Sequence, residues 1–458
     1  MNFRGILGGL GNILKWAFIT LGMIILLLLA INAMDERPSP ELKALQALPQ
    51  IDADPSNGYF AFVGLNAPPD EDGFIYGTQW VDTYNAAADK AAIERANARF
   101  PITNNLTFLG DQKQLCNPSK LPCLPQAKER ANIWRKLATD NEILLARHRA
   151  LTAYANFEES YFQPSYLSPF LNYGSPARLL MLDMIALDAA EDRLEPALAS
   201  LEALMAFDRR ALLGSRVLIT GMVARSWLGQ DYALLAEIVA TRPKALAEQQ
   251  ERLERMTEPL EISQVHAIAA RLIEGEYRFI SRNIPMLLNA EYRGQDAGIL
   301  GTTLARPFFQ SRATMNLAAR YHIALQKRIR DFSPENFNDW IAQVGQVEKS
   351  EDTIVNSWRI LYNPVGKVGF AVGRSEYGLY ILKLSDLIGV TRLARLHVDI
   401  VTAGNADGDI PAIIAANKAL YDPYTGKPMG WDAARRQLYF DAHGEYPKEV
   451  SKHIQAGI

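Results

Sequence analysis

The chain has 458 residues, 48% hydrophobic and 22% charged, which supplies enough apolar material for one large core or two smaller ones and excludes disorder over most of its length. Its net charge of −3 is spread without long like-charge blocks, so the footprint of a nucleic-acid-binding protein is missing. With only two cysteines, a disulfide-rich scaffold is excluded as well.

The first predicted element is the strongest. Trp16–Met34 is nineteen residues without a charge, preceded by Arg4 and Lys15 and followed by Asp35 and Glu36. As a helix it spans roughly 28 Å, close to the hydrocarbon thickness of a bilayer. Basic residues before the span place residues 1–15 in the cytoplasm and the bulk of the chain on the far side, which in a bacterium is the periplasm. Removing Arg4 and Lys15 from the total leaves −5 for that exported part. The competing reading is a cleaved signal peptide with Ile31-Asn32-Ala33 at the cleavage site. The apolar core is longer than a signal sequence needs, and Ile31 is not the small residue such a site prefers. The expectation is a single-pass inner-membrane protein.

Residues 35–57 are proline-rich and read as a stalk. Gly58–Leu65 then reads as a short buried strand. Helical periodicity follows over Thr78–Ala98 and Pro125–Phe157. Between them Cys116 and Cys123 flank Asn-Pro-Ser-Lys-Leu-Pro, whose prolines enforce a turn, and in an oxidising compartment the two pair as a disulfide. A loop this short gains roughly 2.5 kcal/mol on the chain-entropy model. A metal pair is disfavoured because no His or further Cys stands nearby in sequence.

The segment Glu159–Pro176 carries Tyr161, Phe162, Tyr166, Phe170 and Tyr173 among three prolines. Such a semi-rigid apolar surface can grip a partner chain or a lipid tail, or it can simply roof the core. From residue 175 to 401 the pattern predicts a helical bundle or stacked helix pairs: Pro176–Ala190, Leu194–Phe207, Ala211–Leu228, Asp231–Ala240, Ala245–Met256, Glu261–Arg282, Ala313–Arg330, Pro334–Val344 and Glu376–Val401. The tail, 402–458, differs. Asp422, Pro423, Gly426 and Pro428 form a turn signal, and Met429–Trp431 with Gln437–Asp441 reads as a small β-hairpin resting on Trp431 and Tyr439. The fold class expected is therefore mainly α, with an N-terminal transmembrane helix and a C-terminal hairpin.

Two segments resemble known groups. The tail, an apolar helix Leu387–Val401 followed by Asp-Pro-Tyr-Thr-Gly-Lys-Pro-Met, resembles the Asp-Pro-aromatic-x-Gly-x-Pro region of many bacterial exported proteins and, more distantly, of pseudopilins. The part Leu194–Ala236, with Leu218-Ile219-Thr220-Gly221-Met222-Val223-Ala224, is similar to uncharacterised membrane-anchored proteobacterial envelope proteins. Neither resemblance implies an activity. The prepilin cleavage motif is missing, so the tail's likeness is structural.

Catalytic and cofactor signatures are missing from the sequence. There is no Gly-x-Ser-x-Gly elbow and no Ser-x-x-Lys pair. Gly366-Lys367-Val368-Gly369 lacks the glycine spacing of a phosphate loop and reads as a turn. None of the six histidines has a partner four residues away. His148, between two arginines, reads as a solvated helix face, and His266, His322 and His397 as packed helix residues. Asn405-Ala406-Asp407-Gly408-Asp409 has its glycine at the wrong position for a calcium loop. The pairs Glu158/Glu159 and Glu191/Asp192 are adjacent, so on a helix they point about 100° apart and make no acid/base couple. The expectation is no catalytic residue, metal or cofactor, and a binding or scaffolding role toward an envelope protein partner. The alternatives are an envelope hydrolase assembled from scattered residues, or a lipid carrier with an apolar cavity.

Overall fold

The computed structural model of the full chain is 74% helical. It describes residues 3–47, 53–87, 89–160, 175–241, 246–284, 305–332, 337–355, 357–373, 377–403, 409–443 and 453–457. The aromatic segment Tyr161–Tyr173 and the Asn405–Gly408 stretch lie outside them.

Helix α1 runs from Phe3 to Ile31. Its stretch Leu14–Ile31 is the one described helix long and apolar enough to cross a membrane, and none of it is buried. The region expected as a stalk is folded at its start. Ser39 caps α2 (Pro40–Gln46), whose Leu42 and Leu45 are buried. Gly58–Val63, expected as a strand, is helix α3, because the Asn57 side chain accepts the Tyr59 amide and nucleates a turn. The helix predicted over Thr78–Ala98 is two, α4 (Gly73–Ala86) and α5 (Lys90–Arg99), each opened by an aspartate cap. Likewise Pro125–Phe157 divides into α6 (Leu124–Asp140) and α7 (Glu142–Leu151) at Asn141.

Then come α8 (Ser175–Ala190), α9 (Leu194–Gly214) and α10 (Leu218–Thr241), packed on one another as short connections require. Asp192, at φ 64°, and the Arg193 amide bonded to Asp188 O at 2.9 Å end α8 in a Schellman turn. The break expected near Gly229 does not occur. Leu228, Gln230 and Asp231 are all buried, and packing carries α10 through the glycine. Next come α11 (Gln250–Met256), α12 (Ile262–Asn283), α13 (Ser311–Arg330), α14 (Phe337–Val355), α15 (Pro364–Gly373), α16 (Tyr377–Ala403) and α17 (Ile410–Ala416). Gly366–Gly369, expected as a turn, therefore lies within α15.

At the tail, β1 (Gly430–Asp432) and β2 (Gln437–Asp441) form the expected antiparallel hairpin, with Gly430 opposite Tyr439. A third strand, β3 (His453–Gly457), extends it on the other edge of β2. The hairpin's inward residues are Leu438 and Phe440, not Trp431 and Tyr439, and Phe440 lies against Gly389 of α16. The chain divides into two compact units: residues 1–48, 279–325 and 344–375, and residues 49–278, 326–343 and 376–458.

An arginine-lined cleft in the helical unit

Asn57 organises one wall of the site. Its Nδ2 donates to Glu158 O at 2.7 Å and its Oδ1 accepts the Glu158 amide at 2.9 Å, so residues 156–159 run extended beside α3. The end of α9 closes onto this segment. Glu159 N donates to Gly214 O at 3.0 Å, and a side chain at Gly214 would place its Cβ 1.7 Å from Phe157 O. Helix α12 approaches from the other side, where a Cβ on Gly275 would lie 1.8 Å from Arg216 O. Only glycine permits either crossing.

Between these walls lies a cleft of about 370 Å³, lined by residues 155–158, Leu213 and Gly214, and by Arg210, Arg216 and Arg271. Arg210 Nη2 donates to Thr152 O at 3.2 Å, Arg271 Nη2 donates to Leu213 O, and Arg216 Nη2 pairs with Glu158 Oε1 at 2.8 Å. Each guanidinium carries five donors, and the bond of Arg210 to Thr152 uses one of them. Arg210 is also desolvated, which draws its pKa down, and its buried Nε has no acceptor. Three cations meet one carboxylate in the lining.

Directly beneath, Glu159 is 2% exposed. It accepts the amides of Arg216 (2.6 Å) and Val217 (2.8 Å) and the Thr220 hydroxyl (2.7 Å), capping the start of α10. Glu276 of α12 accepts the next amide, Leu218. Burial outweighs these bonds and pushes both carboxyls up to about 7. The N-terminus of α10 is thus already occupied by the protein's own carboxyls. The positive charge lining the cleft is that of the arginines.

A second charged constellation is sealed inside. Arg178 of α8 donates through Nη2 to Asp208 Oδ2 of α9 at 2.6 Å and to Asp231 Oδ1 of α10, and its guanidinium lies over the Trp227 ring. All three residues are at most 1% exposed. Burial raises the pKa of both aspartates, and that of Asp231 strongly.

Cys116 and Cys123 are disulfide-bonded. Asp183 of α8 accepts the Cys116 amide, and Glu237 of α10 accepts the amides of Cys123 and Leu124, so two carboxylates fasten the loop to the bundle. Asp183 brings a carboxylate within 4.8 Å of both sulfurs, a neighbour the sequence places 60 residues away. With the sulfurs bonded to each other the trio is a clasp. Burial pushes the Asp183 carboxyl up to about 8.

The tail turn forms as expected. Asp422 Oδ1 accepts the Tyr424 amide at 2.8 Å, Gly426 N donates to Asp422 O at 3.0 Å, and Gly426 sits at φ 61°. His148 departs from expectation: it is 2% exposed, its ring edge-on to Trp227. His322 and His397 are buried, while His266 is half-buried against Phe332. The sequence reading passed over Arg210, Arg216 and Arg271. Their one local signal is the pair of cations near the C-terminus of α9, which by itself reads as an answer to the helix dipole. No protein-family profile, curated protein or solved structure matches the chain.

Proposed function

We propose that the chain is a membrane-anchored binding protein of the bacterial envelope, whose exported helical domain holds a small anionic molecule, carboxylate- or phosphate-bearing, in the arginine cleft. The observation that carries this reading is the convergence of three guanidiniums from α9, the α9–α10 connection and α12 on one water-filled space with a single opposing carboxylate. The uncharged stretch Trp16–Ile31 of α1 supports the anchor, and the disulfide fits an oxidising compartment. The cleft's lining offers no Ser, Cys or His as a nucleophile or base, which favours binding over the hydrolase alternative.

Titration calorimetry of the detergent-solubilised full chain with inorganic phosphate, citrate and acetate tests the reading. The expected result is saturable binding that favours the multivalent anions. Arg210→Gln and Arg271→Gln should each weaken it by roughly tenfold or more, the measure of a hydrogen bond to a charged group. Their melting temperatures should move little, since neither residue lies in the sealed core. Equal affinity in the wild type and both variants, or no binding of any of the three anions, overturns it.

A further inference from the structure

Where α1 ends, the chain is fastened. Asn32, 3% exposed, donates through Nδ2 to Leu361 O at 2.8 Å and accepts the Asn363 amide through Oδ1 at 2.7 Å. Gln310 Nε2 donates to Asn32 O, and the Tyr362 hydroxyl donates to Met34 O at 3.2 Å. The Asp35 carboxylate accepts the amides of Arg312 and Ala313 at 2.8 and 2.9 Å, capping α13. The turn Trp358–Leu361 and the start of α15 are therefore held at the point where the apolar stretch Leu14–Ile31 stops. At about 1.5 Å per residue that stretch is as long as the hydrocarbon layer is thick, so its end marks the boundary of the bilayer.

What is fastened there is apolar and uncovered. Trp358 is 79% exposed, Leu361 44%, Val368 46% and Val372 81%. Val365, Val368 and Val372 follow the 3-4 spacing of one face of α15, with Leu361 in the turn just before it, while Gly366 and Phe370 face inward. Left in water, each such side chain forgoes the gain that burying its apolar surface would bring. The cations nearby are Arg359, which is exposed, and Lys367, whose ammonium donates to Tyr362 O at 2.8 Å. Trp and Tyr with Lys and Arg beside an aliphatic stripe is the composition that settles at a membrane–water interface.

We propose that residues 358–372 form a second, interfacial membrane contact, lying in the headgroup region of the leaflet through which α1 emerges. The proposal rests on α1 spanning the bilayer. Tethering by Asn32 and Tyr362 decides the occupant: lipid already surrounds the end of α1, whereas a soluble partner would have to displace it. The contact adds area to the anchor and fixes the orientation of the unit that carries it.

The test reconstitutes the full chain in phosphatidylcholine vesicles containing lipids brominated either near the headgroup or near the chain end. The contribution of each indole is read as the difference from Trp358→Phe and from Trp16→Phe. Expected is loss of Trp358 emission with bromine near the headgroup and less with bromine at the chain end, together with protection from aqueous iodide. If Trp16 is quenched by bromolipid while Trp358 responds only to iodide, the surface faces water; the proposal falls and the anchor stands. If Trp358 is shielded from iodide yet untouched by bromolipid, protein covers it, such as a second copy of the chain, and the proposal falls again. If neither tryptophan responds to bromolipid, α1 is not in the bilayer and both readings fail together.

Discussion

Helix α9 carries Asp208 and Arg210 two residues apart, and they meet opposite fates. Asp208 turns into the bundle, where Arg178 ties it and Asp231 into a set with no exposure to solvent. Arg210 turns into the cleft, whose lining holds three arginines and the Glu158 carboxylate, itself 56% exposed. Inside, charge is compensated by the chain and serves to fix how α8, α9 and α10 pack. In the cleft, cations outnumber carboxylates in the lining and face an open space, which is the setting in which a ligand can add its own charge.

The largest effect that can break this contrast is on the sealed side. Arg178→Met strands two buried carboxyls and should cost about 3–5 kcal/mol of stability in denaturant unfolding at pH 8. The loss should shrink toward pH 5, because burial already raises the pKa of both aspartates and they can take up protons. Adding Asp208→Leu and Asp231→Leu to Arg178→Met should restore most of it, since an apolar replacement of a buried ion set is often neutral. A single Arg178→Met variant as stable as the wild type would mean that the cluster has another, unseen exit for its charge.

Next in size is the pH response of the layer between the two constellations. Folding raises Glu159 and Glu276 from the ordinary 4.5 to about 7, so the fold favours their protonated forms. That stability is complete below about pH 4.5 and is lost as pH rises through 7. At 1.36 kcal/mol per unit, each ionisation costs on the order of 3 kcal/mol. Melting temperature should therefore fall from pH 5 to pH 8. Glu159→Gln keeps an acceptor for the Arg216 and Val217 amides and should flatten that fall. A wild-type melting temperature that rises over this interval would contradict the sign.

These constellations also explain what could be read from the chain beforehand. The Asp422–Pro428 turn was legible because the bonds of its backbone amides lie within six residues and each residue type has one conformational use there. The long helices were legible from periodicity, and the uncharged stretch of α1 from composition. Gly58–Val63 was misread as a strand because six apolar residues carry no period, and the deciding contact is the Asn57 cap. His148 was misread because its flanking arginines point elsewhere: Arg147 donates to the carbonyls of Ala67 and Pro68. The cleft was invisible for a stronger reason. Arg210, Arg216 and Arg271 span 61 positions, and what unites them is the close approach of α9 to Phe157 at Gly214 and of α12 to Arg216 at Gly275, which depends on the absence of a side chain rather than on a motif.

The smallest effect is the most discriminating. Glu158 pairs with Arg216 at 2.8 Å at the cleft, and because the Glu158 side chain is more than half exposed the pair contributes only about 0–1 kcal/mol. If the carboxylate merely occupies a guanidinium that a ligand would use, Glu158→Gln removes a competitor and should tighten phosphate binding by up to about fivefold, the equivalent of 1 kcal/mol. The gain should fade as salt is raised, because an exposed charge is screened. Weaker binding in Glu158→Gln would assign the opposite role, that of holding Arg216 in position. Glu158→Lys separates the two cases, because an added cation aids an anion electrostatically but cannot orient a guanidinium. Tight binding in both variants makes Glu158 a competitor, and loss in both makes it part of the site.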